Sequence, residues 1–106
     1  MNDKFLSLLG MARRAGRLSL GHDAAKGSIA FGKAKLCILS FDTSERLKSE
    51  FQGLCESENR SVPVIVTDSD MFELGHAVGS KAGVITVDDE GFAKKLERLS
   101  QDGGNA

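Results

Sequence analysis

The segment Leu36-Cys37-Ile38-Leu39-Ser40-Phe41 constrains this chain more than any other. Apolar residues fall on both side-chain parities, whereas a half-buried strand alternates apolar and polar positions. Such a run is expected where a strand is covered on both faces, and that takes helices on both sides of a sheet. The flanking sequence supplies them. Phe5, Leu6, Leu8, Leu9, Ala12 and Ala15 form a helical stripe, with Gly16 suited to its C-terminal cap. Arg17-Leu18-Ser19-Leu20 alternates like a short strand, and Gly21-His22-Asp23 opens a second helix through Ala25 and Ile29 that Gly32 ends.

The same alternation continues. Asp42 with Glu45 reads as a capping pair for a third helix carrying Leu47, Phe51, Leu54 and Cys55. Val62-Pro63-Val64-Ile65-Val66 is a strand with its proline at the start, where a missing N–H is tolerated. Asp70 and Glu73 form another capping pair, opening a short helix with Leu74, Ala77 and Val78 that stops at Gly79. Val84–Val87 is the fourth strand, and Asp88-Asp89 cap a last helix carrying Phe92, Leu96 and Leu99. The expected class is α/β: a three-layer α/β/α sandwich around a central four-stranded mixed sheet, largely parallel. Its 106 residues suit one domain over 1–101, with a flexible tail at 102–106 expected to fray.

Few chemistries fit. No apolar run approaches the roughly 20 residues of a membrane span, so no membrane partner is expected. The opening Met1-Asn2-Asp3-Lys4 leads into too short an apolar stretch for a secretory leader. Cys37 and Cys55 lack metal-ligand spacing and read as small core residues, and the chain is expected to be cytoplasmic. His76, mid-helix beside Gly75, reads as structural or solvated. Asp88-Asp89-Glu90 suits a hard cation, but acidic residues at a helix start are equally what the helix dipole favours. Gly75-x-x-x-Gly79 lies within a helix and is no dinucleotide fingerprint. Neither an enzyme nor a cofactor is expected.

Charge points elsewhere. Residues 1–36 carry +5 and residues 37–106 carry −6, an asymmetry that suits a basic surface for polyphosphate, unless folding mixes the two. Without Trp or Tyr, stacking falls to six phenylalanines. Phe5, Phe51 and Phe92 lie on apolar helical faces and Phe41 ends the buried strand, which disfavours sequence-blind stacking on single strands. Structured RNA remains, read by shape and by phosphate contact at a helix N-terminus. The helix opening at Gly21 is the natural place, flanked by Arg17, Lys26, Lys33 and Lys35. The same residues also read as an ordinary turn and cap, with Asp23 accepting backbone N–H bonds.

Four pieces in order carry a resemblance: Leu8-Leu9-Gly10-Met11-Ala12, Gly32-Lys33-Ala34-Lys35-Leu36, Glu73-Leu74-Gly75-His76-Ala77-Val78-Gly79 and Asp89-Glu90-Gly91-Phe92-Ala93-Lys94-Lys95-Leu96. With them the chain resembles the bacterial YlxQ-like branch of the ribosomal protein L7Ae superfamily, whose members bind RNA kink-turns. The resemblance implies the same sandwich. It also implies an RNA signature, Gly-x-Asn-Glu-x-x-Lys, at the start of the second helix. Here that stretch reads Gly21-His22-Asp23-Ala24-Ala25-Lys26-Gly27, so only the glycine is kept. Asp23 accepts hydrogen bonds but cannot donate them as an amide does. Ala24 and Gly27 remove a carboxylate and a cation, while Lys26, one position early, restores part of the charge.

A second RNA contact is implied at the loop after the short helix, Ser80-Lys81-Ala82. Asp42 matches a family position after the second strand and reads as a helix cap. The expected function is a non-enzymatic RNA-binding protein, ribosome-associated and recognising structured RNA. Arg17, Gly21, His22, Asp23, Lys26, Lys33, Lys35, Ser80 and Lys81 form the expected surface. Ribosomal or assembly proteins are the expected protein partners. The alternative is a protein-interaction module on the same fold that has lost specific RNA binding.

Overall fold

The computed structural model describes residues 3–57 and 61–104. Five helices and four strands follow in the order α1 (Asp3–Arg14), β1 (Leu18–Leu20), α2 (His22–Ala30), β2 (Leu36–Leu39), α3 (Glu45–Cys55), β3 (Val64–Val66), α4 (Met71–Val78), β4 (Val84–Val87) and α5 (Glu90–Gly104). The strands form one mixed sheet in the order β1-β4-β2-β3.

All four residues of β2 are buried, as the apolar run requires, and they alternate between two cores. Leu36 and Ile38 join Phe5, Leu9, Leu74, Ile85, Val87 and Leu96 beneath α1, α4 and α5. Cys37 and Leu39 join Ala25, Ile29, Phe51, Cys55 and Val84 beneath α2 and α3. These are the three layers.

The sheet departs from the largely parallel arrangement. β2 pairs with β3 in parallel, but β4 pairs antiparallel with both β1 and β2. The cause is α4, which does not carry the chain back across the sheet. Met71 N at its start donates to Asp42 Oδ1, just beyond β2, and Ser40 N donates to Gly83 O, just before β4. Both bonds lie at the end where β2 finishes, so β4 enters there and runs in reverse. β1, β2 and β3 thus point one way, and β4 is inserted between β1 and β2.

Local signals fared unevenly. Asp70 accepts from Glu73 N at 2.8 Å and Glu73 Oε1 accepts from Asp70 N at 3.2 Å, completing the expected capping box. Asp42 does not cap the third helix; Ser44 does, accepting from Leu47 N, and Asp42 instead serves the start of α4. Phe41 lies beyond β2 and is 51% exposed, because the chain turns at Ser40 and Thr43 rather than extending the strand. Asp89 caps α5 through Phe92 N. α5 continues as helix through Gly104, into the segment expected to fray; Asn105 and Ala106, like Met1 and Asn2, lie outside the described residues. Among the described residues no helix is long and apolar enough to cross a membrane.

Candidate nucleic-acid interface

α2 begins at the carboxyl end of β1, the end of an open α/β sheet where ligands gather. Gly21, its N-cap, holds φ +89°, a conformation that L side chains rarely adopt. No side chain caps this helix, so its first N–H groups have no side-chain acceptor at its positive dipole end, and His22, Asp23 and Ala24 there are exposed. Asp23 therefore does not act as a cap; its Oδ1 lies 3.1 Å from His22 Nδ1. Gly21 N donates to Val84 O at 3.0 Å, which pins the turn against the first residue of β4. The loop Ser80–Gly83 is thereby brought beside it.

That loop is held by close packing. Gly79 ends α4 in the left-handed conformation, and a Cβ on Gly75 would stand 3.0 Å from Lys81 Cα. The absence of a side chain at Gly75 thus lets α4 support Ser80 and Lys81 from behind, and both are exposed. Gly21, His22, Asp23, Lys26, Ser80 and Lys81 share this end of the molecule.

Arg17, Lys33 and Lys35 do not. Lys35 N donates to Val87 O and Arg17 O accepts from Asp88 N, which places them at the far end of β4. The nine residues of α2 separate the two groups by about 13 Å. The basic residues of the N-terminal third form two surfaces, not one.

Glu50, on α3, is the residue that sequence reasoning missed. Its carboxylate lies 3.0 Å from His22 Nε2 and 3.9 Å from Lys26 Nζ, and the His22 ring meets Phe51 edge-on at a centroid distance of 5.5 Å. Nothing local links Glu50 to α2, 28 residues away; its only cue is adjacency to Phe51 on the rim of the buried stripe. Hydrogen bonds to Asp23 and then Glu50 raise the His22 pKa above its ordinary 6.5. A raised folded-state value means that the imidazolium contributes fully below about pH 6.5 and is lost as pH climbs through the raised value. Relative to His22→Asn, the wild-type chain should therefore lose a little stability as pH rises above about 6.5 in thermal melts. The effect is small because the ring is half in water. A parallel pH response in both proteins would overturn it.

The other chemistry-bearing residues have structural work. Asp88 accepts from Ser19 Oγ and Ser28 Oγ at 2.6 Å each and from Thr86 Oγ1 at 3.0 Å, tying β1, α2 and β4 together. Glu90 pairs with Lys94 at 3.2 Å. Cys37 and Cys55 are buried free thiols. The hydrogen bond between them raises Cys37, already pushed up by burial, and lowers Cys55. His76 is exposed on α4. Among the described residues no group of three or more His, Cys, Asp or Glu gathers to hold a metal.

Known proteins share this sequence and fold. The RNA-binding protein YlxQ of Enterococcus faecium is 32% identical over 96 residues, covering 91% of this chain and 90% of its own. The RNA-binding protein YlxQ of Bacillus subtilis (strain 168) is 33% identical over 97 residues, covering 91% and 94%. A solved structure of a Bacillus halodurans protein of unknown function superposes with a TM-score of 0.83 at 35% identity, covering 94% of this chain and 99% of that one. A profile of the ribosomal protein L7Ae/L30e/S12e/Gadd45 family matches residues 3–97. With the sandwich and the matched length both in place, the chain belongs to the ribosomal protein L7Ae/L30e/S12e/Gadd45 family.

Proposed function

We propose that this protein is a non-enzymatic, cytoplasmic RNA-binding protein that recognises structured, kink-turn-like RNA and associates with the ribosome. The observation that carries this reading is the uncapped start of α2, with Gly21 bonded to Val84 and Lys81 on the adjoining loop. An exposed helix N-terminus offers oriented N–H groups to phosphate, and a cation beside it neutralises a second one. The two YlxQ relatives, named for RNA binding, support the same class of ligand. Asp23, Ala24 and Gly27 alter the side chains at this start, so Lys26 and His22 carry its positive charge.

The test is a gel shift at about 0.1 M salt with a kink-turn RNA, against the same RNA with its sheared G·A pairs made Watson–Crick. The kinked form should bind at least tenfold tighter, and the log of affinity should fall with log salt by about 0.9 per phosphate contacted. Equal affinity for both RNAs would end the kink-turn reading.

A protein partner, ribosomal or assembly-related, is favoured by a different observation. Phe41, Val66 and Phe72 are 51%, 45% and 81% exposed, and Val66 ends the edge strand β3. Co-purification of a ribosomal protein that persists after nuclease treatment and is lost in Phe72→Ser would support this second reading.

A further inference from the structure

The two most exposed phenylalanines sit in opposite electrostatic settings. Phe72, 81% exposed, stands between Asp70 and Glu73. Phe31, 80% exposed, stands at the C-terminal cap of α2 beside Lys33 and Lys35, and both lysines are exposed. The turn that presents Phe31 is fully bonded. Phe31 N donates to Gly27 O, Gly32 N to Ile29 O, Lys33 N and Ala34 N to Ser28 O, and Lys35 N to Val87 O. Ser28 is itself anchored through its hydroxyl to Asp88. The ring is therefore held out on a rigid support. Gly32, between Phe31 and Lys33, also lines a recess of ≈ 300 Å³ with Ile29, Ala34, Lys35, Ser61 and Val62.

We propose that Phe31, Lys33 and Lys35 form a second nucleic-acid contact, in which a single-stranded nucleotide stacks on Phe31 and its phosphates meet the two lysines. The inference rests on the RNA-binding reading above and extends it to a site at the other end of α2; it departs from the sequence expectation against stacking because Phe31, unlike Phe5 and Phe51, lies outside both cores. The chemistry favours a nucleic acid over a protein. Lysine is depleted in the centres of protein interfaces, whereas an exposed ring flanked by cations is the pattern of single-strand binding platforms. Unlike His22 and Lys26, which share Glu50, neither Lys33 nor Lys35 has an ion-pair partner among the described residues. A polyanion meets them without displacing a carboxylate. The site faces away from Lys81, so it engages a flanking single-stranded segment rather than the nucleotides at the start of α2.

The chain contains no Trp or Tyr, which gives a clean reporter. Phe31→Trp and Phe72→Trp each introduce one indole at an exposed position that no core packing depends on. The probe is a fifteen-nucleotide oligouridylate at about 0.05 M salt, with Trp fluorescence as the readout. Saturable quenching is expected for Phe31→Trp and none for Phe72→Trp. Adding Lys33→Glu and Lys35→Glu to the Phe31→Trp protein should weaken binding at least tenfold. In the native background Phe31→Ala should weaken it about tenfold, consistent with the loss of one stacked base. The same Phe31→Ala protein should bind the isolated kink-turn RNA unchanged. A Phe31→Trp signal that stays flat, while labelled kink-turn RNA binds normally, overturns this site and leaves the function above intact. A chain that binds neither RNA overturns both.

Discussion

Phe51→Ala should destabilise the protein by about 3–5 kcal/mol in urea or thermal unfolding. Phe51 is fully buried, and most of its companions under α2 and α3 are small: Ala25, Ala34, Cys37, Cys55 and Val84. Small neighbours cannot swing in to refill the space of an aromatic ring, so the cavity term adds to the lost transfer energy. A domain of this size has only about 5–15 kcal/mol to lose, and Tm should fall by about 15 °C or more. Phe51→Leu, which keeps much of the volume, should recover most of the loss. Phe51→Ala also removes the ring packed against His22, so, on the function proposed above, RNA affinity should weaken even at temperatures where the variant is folded. A loss below about 1 kcal/mol would show that α2 and α3 collapse onto each other freely.

Asp88→Ala should be nearly as costly, at about 3 kcal/mol. Hydrogen bonds to an ionised acceptor contribute about 1.5–3 kcal/mol each, and three hydroxyls lose theirs together. The sum is not additive, because Ser19 is only half-buried and turns to water, while Ser28 and Thr86 are buried and cannot. Asp88→Asn retains an acceptor oxygen and should lose about half as much. Amide exchange would show where the damage goes. Protection should fall in β1 and in the 28–35 segment, which Asp88 holds to β4, and should stay unchanged in α3. A variant as stable as the wild type would mean that water replaces the carboxylate without loss.

Local grammar made much of the fold legible. The apolar run of β2, the Asp70–Glu73 capping box and the bounds of β4 are written in neighbouring residues, because caps and periodicity act over a few positions. Sheet direction is not local. It turned on whether α4 crosses the sheet, and the start of α4 docks instead beside Asp42, 29 residues away. The same Asp42 looked like a cap for the helix that follows it, since a carboxylate three residues before Glu45 satisfies the pattern wherever its oxygen finally points.

At the candidate site the outcome divides along the same line. Gly21 carries its own signal, a residue free to adopt positive φ before a helix. Glu50 carries only its place beside Phe51, since its partner His22 comes from another helix. The basic residues were legible as composition but not as a surface. Arg17 and Lys35 look close to Gly21 along the chain, yet a helix and a strand end come between them in space.

On the RNA-binding reading of this surface, the grip of Glu50 on His22 and Lys26 sets an admission threshold at α2. A lone phosphate, whether free or on a mononucleotide, exchanges one solvated ion pair for another of similar strength and gains almost nothing. A polymer that reaches Lys81 in the same encounter makes its second contact at high effective concentration, and its combined contacts outbid the carboxylate. If α2 makes the RNA contact proposed above, an internal acid beside the cations favours a polyanion over a single phosphate before any base is read.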